Sequence, residues 1–307
     1  MQPLHIVSPI WESPALSAAI GAPVLLKMDA LQPATSFKIR GMGRLCQERA
    51  AAGARRLVCA SGGNAGLATA YAGRHLGLPT TIVVPQRTGA HARALIRREG
   101  AELIEHGDAW DEAHAFAQTL LDAETAYIHP FDDPLVWAGN ATIVEELAAQ
   151  GVRPGALVVS VGGGGLLCGV VEGLIAQGWH DVPVLAVETE GAASYAAALA
   201  AGAPVRLETI RSIAVTLSAR QVALRAVELA QTHPIIPWLV SDRAAVDASL
   251  QFADDQRILV EPACGAALAA VAQQAAPLVG RDPIVVVVCG GAGVNLELLR
   301  QWDAQLM

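Results

Sequence analysis

Short apolar runs and alanine-rich stretches take turns along this chain. Val24 to Met28, Leu57 to Ala60, Thr81 to Val84, Leu157 to Val161, Val184 to Glu188 and Ile284 to Val288 are strand-length runs dominated by Val, Leu and Ile. Runs of this kind suit strands covered on both faces. Between them, Ala65 to His75, Asp111 to Leu121, Ala141 to Gln150 and Ala266 to Ala275 read as helices. The alternation predicts repeated βα units and an open, mostly parallel sheet covered by helices, an α/β fold. No Ser-, Pro- or charge-rich linker and no fixed-period repeat divides the chain, so a second domain must be inserted rather than appended.

Composition narrows this picture. The 307 residues are 53% hydrophobic but only 4% aromatic, so the core is built from Ala, Val, Leu and Ile. A net charge of -8 leaves no basic face for nucleic acid. The densest basic cluster, Arg93 to Arg98, reads as the polar side of a surface helix. Five cysteines, at 46, 59, 168, 264 and 289, form no C-x-x-C pair, which suits a reducing compartment without disulfides or zinc. The N-terminus lacks the pattern of a secretory signal. The uncharged stretch Pro154 to Val171 carries six glycines, which argues against a spanning helix. A cytoplasmic location without membrane attachment is expected.

Chemistry is suggested by three glycine-rich turns that follow strands: Ser61-Gly62-Gly63-Asn64-Ala65-Gly66, Gly162 to Gly165, and Gly290-Gly291-Ala292-Gly293. Ligands of open α/β sheets bind where strands end and helices begin, and consecutive side-chain-free N–H groups form an anion nest. A phosphate group is the expected occupant of the Gly162 to Gly165 turn. A tight turn for close helix-sheet packing is the lesser alternative. It is neither a P-loop, since no G-K-[ST] follows, nor a correctly spaced dinucleotide fingerprint. Lys38, between Phe37 and Ile39, is a candidate carbonyl-binding amine, because burial lowers an amine's pKa; a solvated lysine is the alternative. A phosphate-bearing carbonyl cofactor would join these features.

The ordered strings Ser36-Phe37-Lys38-Ile39-Arg40-Gly41, the Ser61 to Gly66 loop, Gly162 to Leu166 and Cys289 to Asn295 resemble the fold-type II pyridoxal-phosphate enzymes. Within them the resemblance is to the L-serine dehydratases of the serine/threonine dehydratase family, from about Leu4 to Leu298. It implies a tryptophan synthase beta-like fold. It also implies that Lys38 is joined to pyridoxal 5'-phosphate and removes the substrate's α-proton. Gly162, Gly163, Gly164, Gly165 and Leu166 would hold the phosphate, and Asn64 the 3'-hydroxyl. Ser61, Gly62, Gly63, Asn64 and Ala65 would bind the substrate carboxylate. Cys289 would face the ring nitrogen, and a thiol is too weak an acid to protonate it, which favours β-elimination. Phe37 and Thr216 would flank the ring.

Two departures stand out. Many relatives have alanine where Thr216 stands, and alanine or a racemase's serine where Gly62 stands. Gly62 has no proton to give, so racemisation is expected to be negligible; a looser loop and modest turnover are expected as well. Some members bind a monovalent cation such as K+, and the matching positions are Gly162, Glu188, Ala192, Leu217 and Ala219. Glu188 could instead cap a helix.

The expected reaction is β-elimination from L-serine, and from L-threonine, to a 2-oxo acid and ammonia. The resemblance places residues 1–38 and 132–307 in a large cofactor domain and 39–131 in an inserted small one, in a homodimer. The absence of an appended regulatory domain suggests a degradative enzyme. Competing readings are a lyase for 3-hydroxyaspartate or cysteine, a catalytically silent cofactor-binding protein, and a nucleotide-binding oxidoreductase.

Overall fold

Val, Leu and Ile runs become interior strands because neighbours cover both of their faces. The computed structural model describes residues 2–306. Its strands are β1 (Ile10–Glu12), β2 (Val24–Lys27), β3 (Arg56–Ala60), β4 (Thr80–Val84), β5 (Glu102–Glu105), β6 (Thr125–Tyr127), β7 (Ala156–Ser160), β8 (Val184–Thr189), β9 (Ile235–Val240) and β10 (Ile284–Val287). They form a six-stranded sheet, β1-β2-β10-β7-β8-β9, and a four-stranded sheet, β5-β4-β3-β6. Every pairing is parallel except β1 with β2. The expected α/β architecture is present.

All six strands expected from the sequence are interior: β2, β10, β7 and β8 in the larger sheet, β3 and β4 in the smaller. The four strands not expected, β1, β5, β6 and β9, are the edges. Edge strands are partly exposed and mix polar residues or proline into the pattern, as Ile235-Ile236-Pro237-Trp238 does. Two helices begin earlier than periodicity suggested, at Pro134 and Pro262. Each has proline in its first turn, where the missing N–H costs nothing. The helix Ala90–Arg98 lies on the surface, with Arg93 and Arg97 both paired to Glu105.

The sheet order positions the site. β10 lies between β2 and β7, so the carboxyl ends of these strands deliver the Cys289 and Gly162 turns side by side. One buried ionic cluster ties this sheet to the helix Lys38–Ala51. Arg40 Nε donates to Asp29 at 2.6 Å and its Nη1 to Glu146 at 2.6 Å, while Lys27 Nζ donates to Glu146 at 2.6 Å and to the Ser8 carbonyl at 2.7 Å. Arg40, Lys27 and Asp29 are all 0% exposed. Burial alone would raise the Glu146 carboxyl, but Arg40 and Lys27 outweigh it and hold it below the ordinary range.

All five cysteines are free and buried. Among the described residues no helix is long and apolar enough to cross a membrane.

Candidate active site

The segment before Lys38 is stitched to the end of the larger sheet. Gly291 N donates to the Thr35 carbonyl at 2.8 Å, and Phe37 N to the Cys289 carbonyl at 3.1 Å. Thr35 takes a left-handed φ of 56°, a strained conformation for a β-branched residue. These links set Lys38 at the start of its helix, two residues from the Arg40 anchor. Lys38 Nζ donates to the Pro130 carbonyl at 2.8 Å and lies 5.1 Å from the Phe37 ring centroid. Burial lowers the amine from 10.5 to about 8, against smaller opposing effects of Cys59 and Cys289. A fraction of Lys38 is therefore a neutral nucleophile and base near neutral pH.

The Gly162 turn combines close packing with free donors. A β-carbon on Gly163 would lie 2.3 Å from the Phe131 ring, and Gly164 has a φ of +89°. Among the described residues, no acceptor takes the backbone N–H groups of Gly162, Gly163, Gly164, Gly165 or Leu166. They open the helix Gly165–Ala176, so an anion with several oxygens fits the cradle. Gly163→Ala is expected to displace Phe131, at a cost of about 1–3 kcal/mol, and to reduce bound cofactor. Absorbance per chain after gel filtration checks this.

The second glycine turn lies opposite, at the start of the helix Asn64–Leu76. The N–H groups of Gly62, Asn64 and Ala65 have no acceptor among the described residues, while Gly63 N donates to Ser61 Oγ at 3.3 Å. Asn64 reaches across to the larger sheet's loops: its Nδ2 donates to Glu261 at 3.0 Å, and its Oδ1 accepts from Ala292 N at 2.9 Å. Cys289 is buried beside Cys264. The Cys264 thiol and burial, with the negative charges of Glu261 and Asp29, push Cys289 well above its ordinary value, so it remains a neutral thiol.

A free-amide cradle and a protonated thiol thus occupy adjacent strand ends, with a desolvated lysine at the helix start stitched to them. Residues 1–290 match the family described as pyridoxal-phosphate dependent enzyme. The chain belongs to that family. It is 50% identical, over 99% of its length and 96% of the other, to human L-serine dehydratase/L-threonine deaminase. It is 42% identical to the L-serine dehydratase of Dictyostelium discoideum, with 96% of this chain and 90% of that one covered. The crystal structure of a fungal L-serine ammonia-lyase from Rhizomucor miehei matches with a TM-score of 0.94, 37% identity and full coverage of both chains. As in such fold-type II enzymes, the cofactor is pyridoxal phosphate.

This pyridoxal-phosphate enzyme's departures acquire partners in the structure. The Thr216 hydroxyl donates to Glu261 at 2.7 Å. At Gly62 no open space remains: a β-carbon there would lie 2.7 Å from both Thr88 Cγ2 and Thr88 Oγ1. Gly62→Ala is expected to lower the unfolding temperature, and Thr88→Ala in the same chain to restore most of the loss, a coupling that a double-mutant cycle measures.

Glu188 is fully buried, and its two oxygens accept from Tyr195 N at 2.8 Å and Ala196 N at 2.9 Å, the helix-capping role. Burial raises it to about 7, with those N–H groups and Ser194 pulling the other way. Gly162 packs on Leu217, 3.1 Å from its Cα if extended by a β-carbon. Sequence reading assigned no role to Glu261, Thr88, Pro130 or Cys264. The one available signal was Glu261 itself, an acid set between Val260 and Pro262 at the head of an apolar helix.

Proposed function

We propose that the protein is a pyridoxal-phosphate dependent ammonia-lyase that converts L-serine to pyruvate and ammonia, and L-threonine to 2-oxobutyrate and ammonia. The observation that carries this reading is the Lys38 amine, desolvated and held on one carbonyl at the helix start. Half of the residues are shared with a relative named for both substrates.

When bound, pyridoxal phosphate supplies an electron-withdrawing ring that stabilises negative charge at the substrate α-carbon, and a phosphate able to protonate a leaving hydroxyl. Lys38 Nζ would hold the cofactor, and its amine, with a pKa lowered by burial, would take the substrate's α-proton. The amides of Gly162, Gly163, Gly164, Gly165 and Leu166 hold the phosphate. Ser61, Gly62, Gly63, Asn64 and Ala65 bind the substrate carboxylate at a helix N-terminus, and Asn64 also holds the 3'-oxygen. Cys289, a neutral thiol, would face the ring nitrogen and is too weak an acid to protonate it. Phe37 and Thr216 cover the two faces. The hydroxyl lost from the β-carbon leaves as water, which the released aminoacrylate takes up again as it hydrolyses.

Residues 39–131 form the inserted domain in this reading, supported by a four-stranded sheet whose strands all lie between 56 and 127. A monovalent cation such as K+ would be held by the carbonyls of Gly162, Ala192, Leu217 and Ala219 and by Glu188, whose oxygens also accept from Tyr195 and Ala196 N–H. The enzyme is cytoplasmic, in keeping with its five free thiols, and homodimeric by family resemblance.

The experiment is the visible spectrum of the purified protein before and after adding L-serine, with pyruvate and ammonia assayed in the same cuvette. A cofactor band that shifts as both products appear is expected. A band that shifts without product would overturn the reaction, and no band after adding pyridoxal phosphate would overturn the whole reading.

A further inference from the structure

Glu261 is buried, 4% exposed, and no Lys, Arg or His pairs with it among the described residues. Three donors from distant parts of the chain converge on it instead. Asn64 Nδ2 at 3.0 Å and Thr216 Oγ1 at 2.7 Å donate to Oε2, and Gly293 N at 2.6 Å donates to Oε1. The last glycine turn closes over the same carboxylate: a β-carbon on Gly291 would lie 2.2 Å from Glu261 Cδ. Burial raises this carboxyl, with the three donors pulling it back. An unpaired carboxylate is costly to bury, so a joint between segments alone would be better made from neutral groups.

An acceptor on one side and the Ala292 N–H on the other together fix which way the Asn64 amide faces. Ala292 N can only donate, so Asn64 Oδ1 must face it; the carboxylate can only accept while ionised, so Nδ2 must face Glu261. One Nδ2 hydrogen is used on Glu261 and the other remains free. We propose that Glu261 is a positioning residue for the cofactor, locking the Asn64 amide so that its second N–H is offered to the cofactor's 3'-oxygen and tethering Thr216 on the opposite side. This rests on the reading that Asn64 holds that oxygen.

Glu261→Gln conserves shape but not pattern. Its amide nitrogen must face either Gly293 N–H or Asn64 Nδ2, and each is a donor. With the nitrogen toward Asn64, the Asn64 amide loses its acceptor and only the Ala292 N–H still orients it; with the nitrogen toward Gly293, the carboxylate's charge is lost and two donors face each other beside the turn. Apoprotein of wild type, Glu261→Gln, Asn64→Ala and the double variant is titrated with pyridoxal phosphate. The dissociation constant is read from tryptophan fluorescence and the visible band of the bound cofactor is recorded. Glu261→Gln is expected to weaken binding by about 10- to 100-fold and to shift the band, and to add no further loss in the Asn64→Ala background.

Wild-type binding with an unshifted band, or a full additional loss in the Asn64→Ala background, would overturn the proposal. Should Glu261→Gln fail to fold, Asn64→Asp carries the same test. It removes the N–H and sets two carboxylates in contact, so undiminished cofactor binding by that variant would overturn the proposal. These readouts stand apart from turnover. A wild type that binds cofactor but makes no pyruvate defeats the reaction and leaves the positioning role to be judged by the band. An active wild type with an indifferent Glu261→Gln defeats the positioning role alone.

Discussion

Lys38→Ala is expected to lower kcat with L-serine by about 10⁴-fold or more, since a single amine both attaches the cofactor and moves the α-proton. Cofactor bound to the variant should be removable by gel filtration without a competing amine. Active Lys38→Ala holoenzyme in a stopped assay for pyruvate would overturn the assignment. The same residue should influence stability with the opposite sign. Lys38 titrates at about 8 in the folded chain against 10.5 ordinarily. Below pH 8 the amine is charged in folded and unfolded chains alike, and its burial opposes folding in full. Between about 8 and 10.5 the folded chain gives up the proton first, so stability rises with pH. Lys38→Met apoprotein should therefore be more stable than wild-type apoprotein at neutral pH, with the gain shrinking as pH rises past 8. Urea unfolding on both sides of that pH measures it.

Arg40→Met is expected to be the most damaging single change outside the catalytic groups, costing about 3–5 kcal/mol, because it leaves Asp29 without its ion-pair partner and Glu146 with Lys27 and, at 3.9 Å, His5. The cost arises from uncompensated charge rather than from lost packing, since methionine fills much of the same volume. Removing all four charges together, at Lys27, Asp29, Arg40 and Glu146, should cost far less than removing Arg40 alone. Denaturant midpoints of the two variants decide the point. Acid should weaken the wild type through the same cluster. The folded Glu146 carboxyl is depressed below 4.5, so its contribution is complete above that value and is lost as pH falls through the lower folded value. Turnover should fall in Arg40→Met as well, because Arg40 anchors the first turn of the helix that begins with Lys38.

The contrast between interior and edge strands explains what could be read in advance. β7 and β10 are buried along their whole length, and apart from the terminal Ser160 of β7 their residues are all apolar. β5 is exposed at both ends and half-covered between, and its Glu-Leu-Ile-Glu pattern is equally compatible with a helix turn. The site divides in the same way. Lys38, Asn64, the glycine turns and Cys289 belong to compact strings whose order alone is informative. Glu261 meets Asn64 across 197 positions and Thr216 across 45, and no local pattern encodes such a meeting. Thr88 was equally hidden, because its importance lies in where the loop after β4 sets it down.

The contact between Gly62 and Thr88 also constrains history. The chain can reach a loop with alanine or serine at position 62 by two single steps, but in only one comfortable order. If position 62 gains its side chain first, the new β-carbon meets Thr88 at 2.7 Å in an unchanged pocket. If Thr88 shrinks to alanine first, the later step meets only the Cβ of residue 88, at 3.3 Å. A lineage carrying this pair is therefore held at glycine by a neighbour on a different loop, and the chemistry available on the second face of the substrate waits on a residue with no chemical part in it.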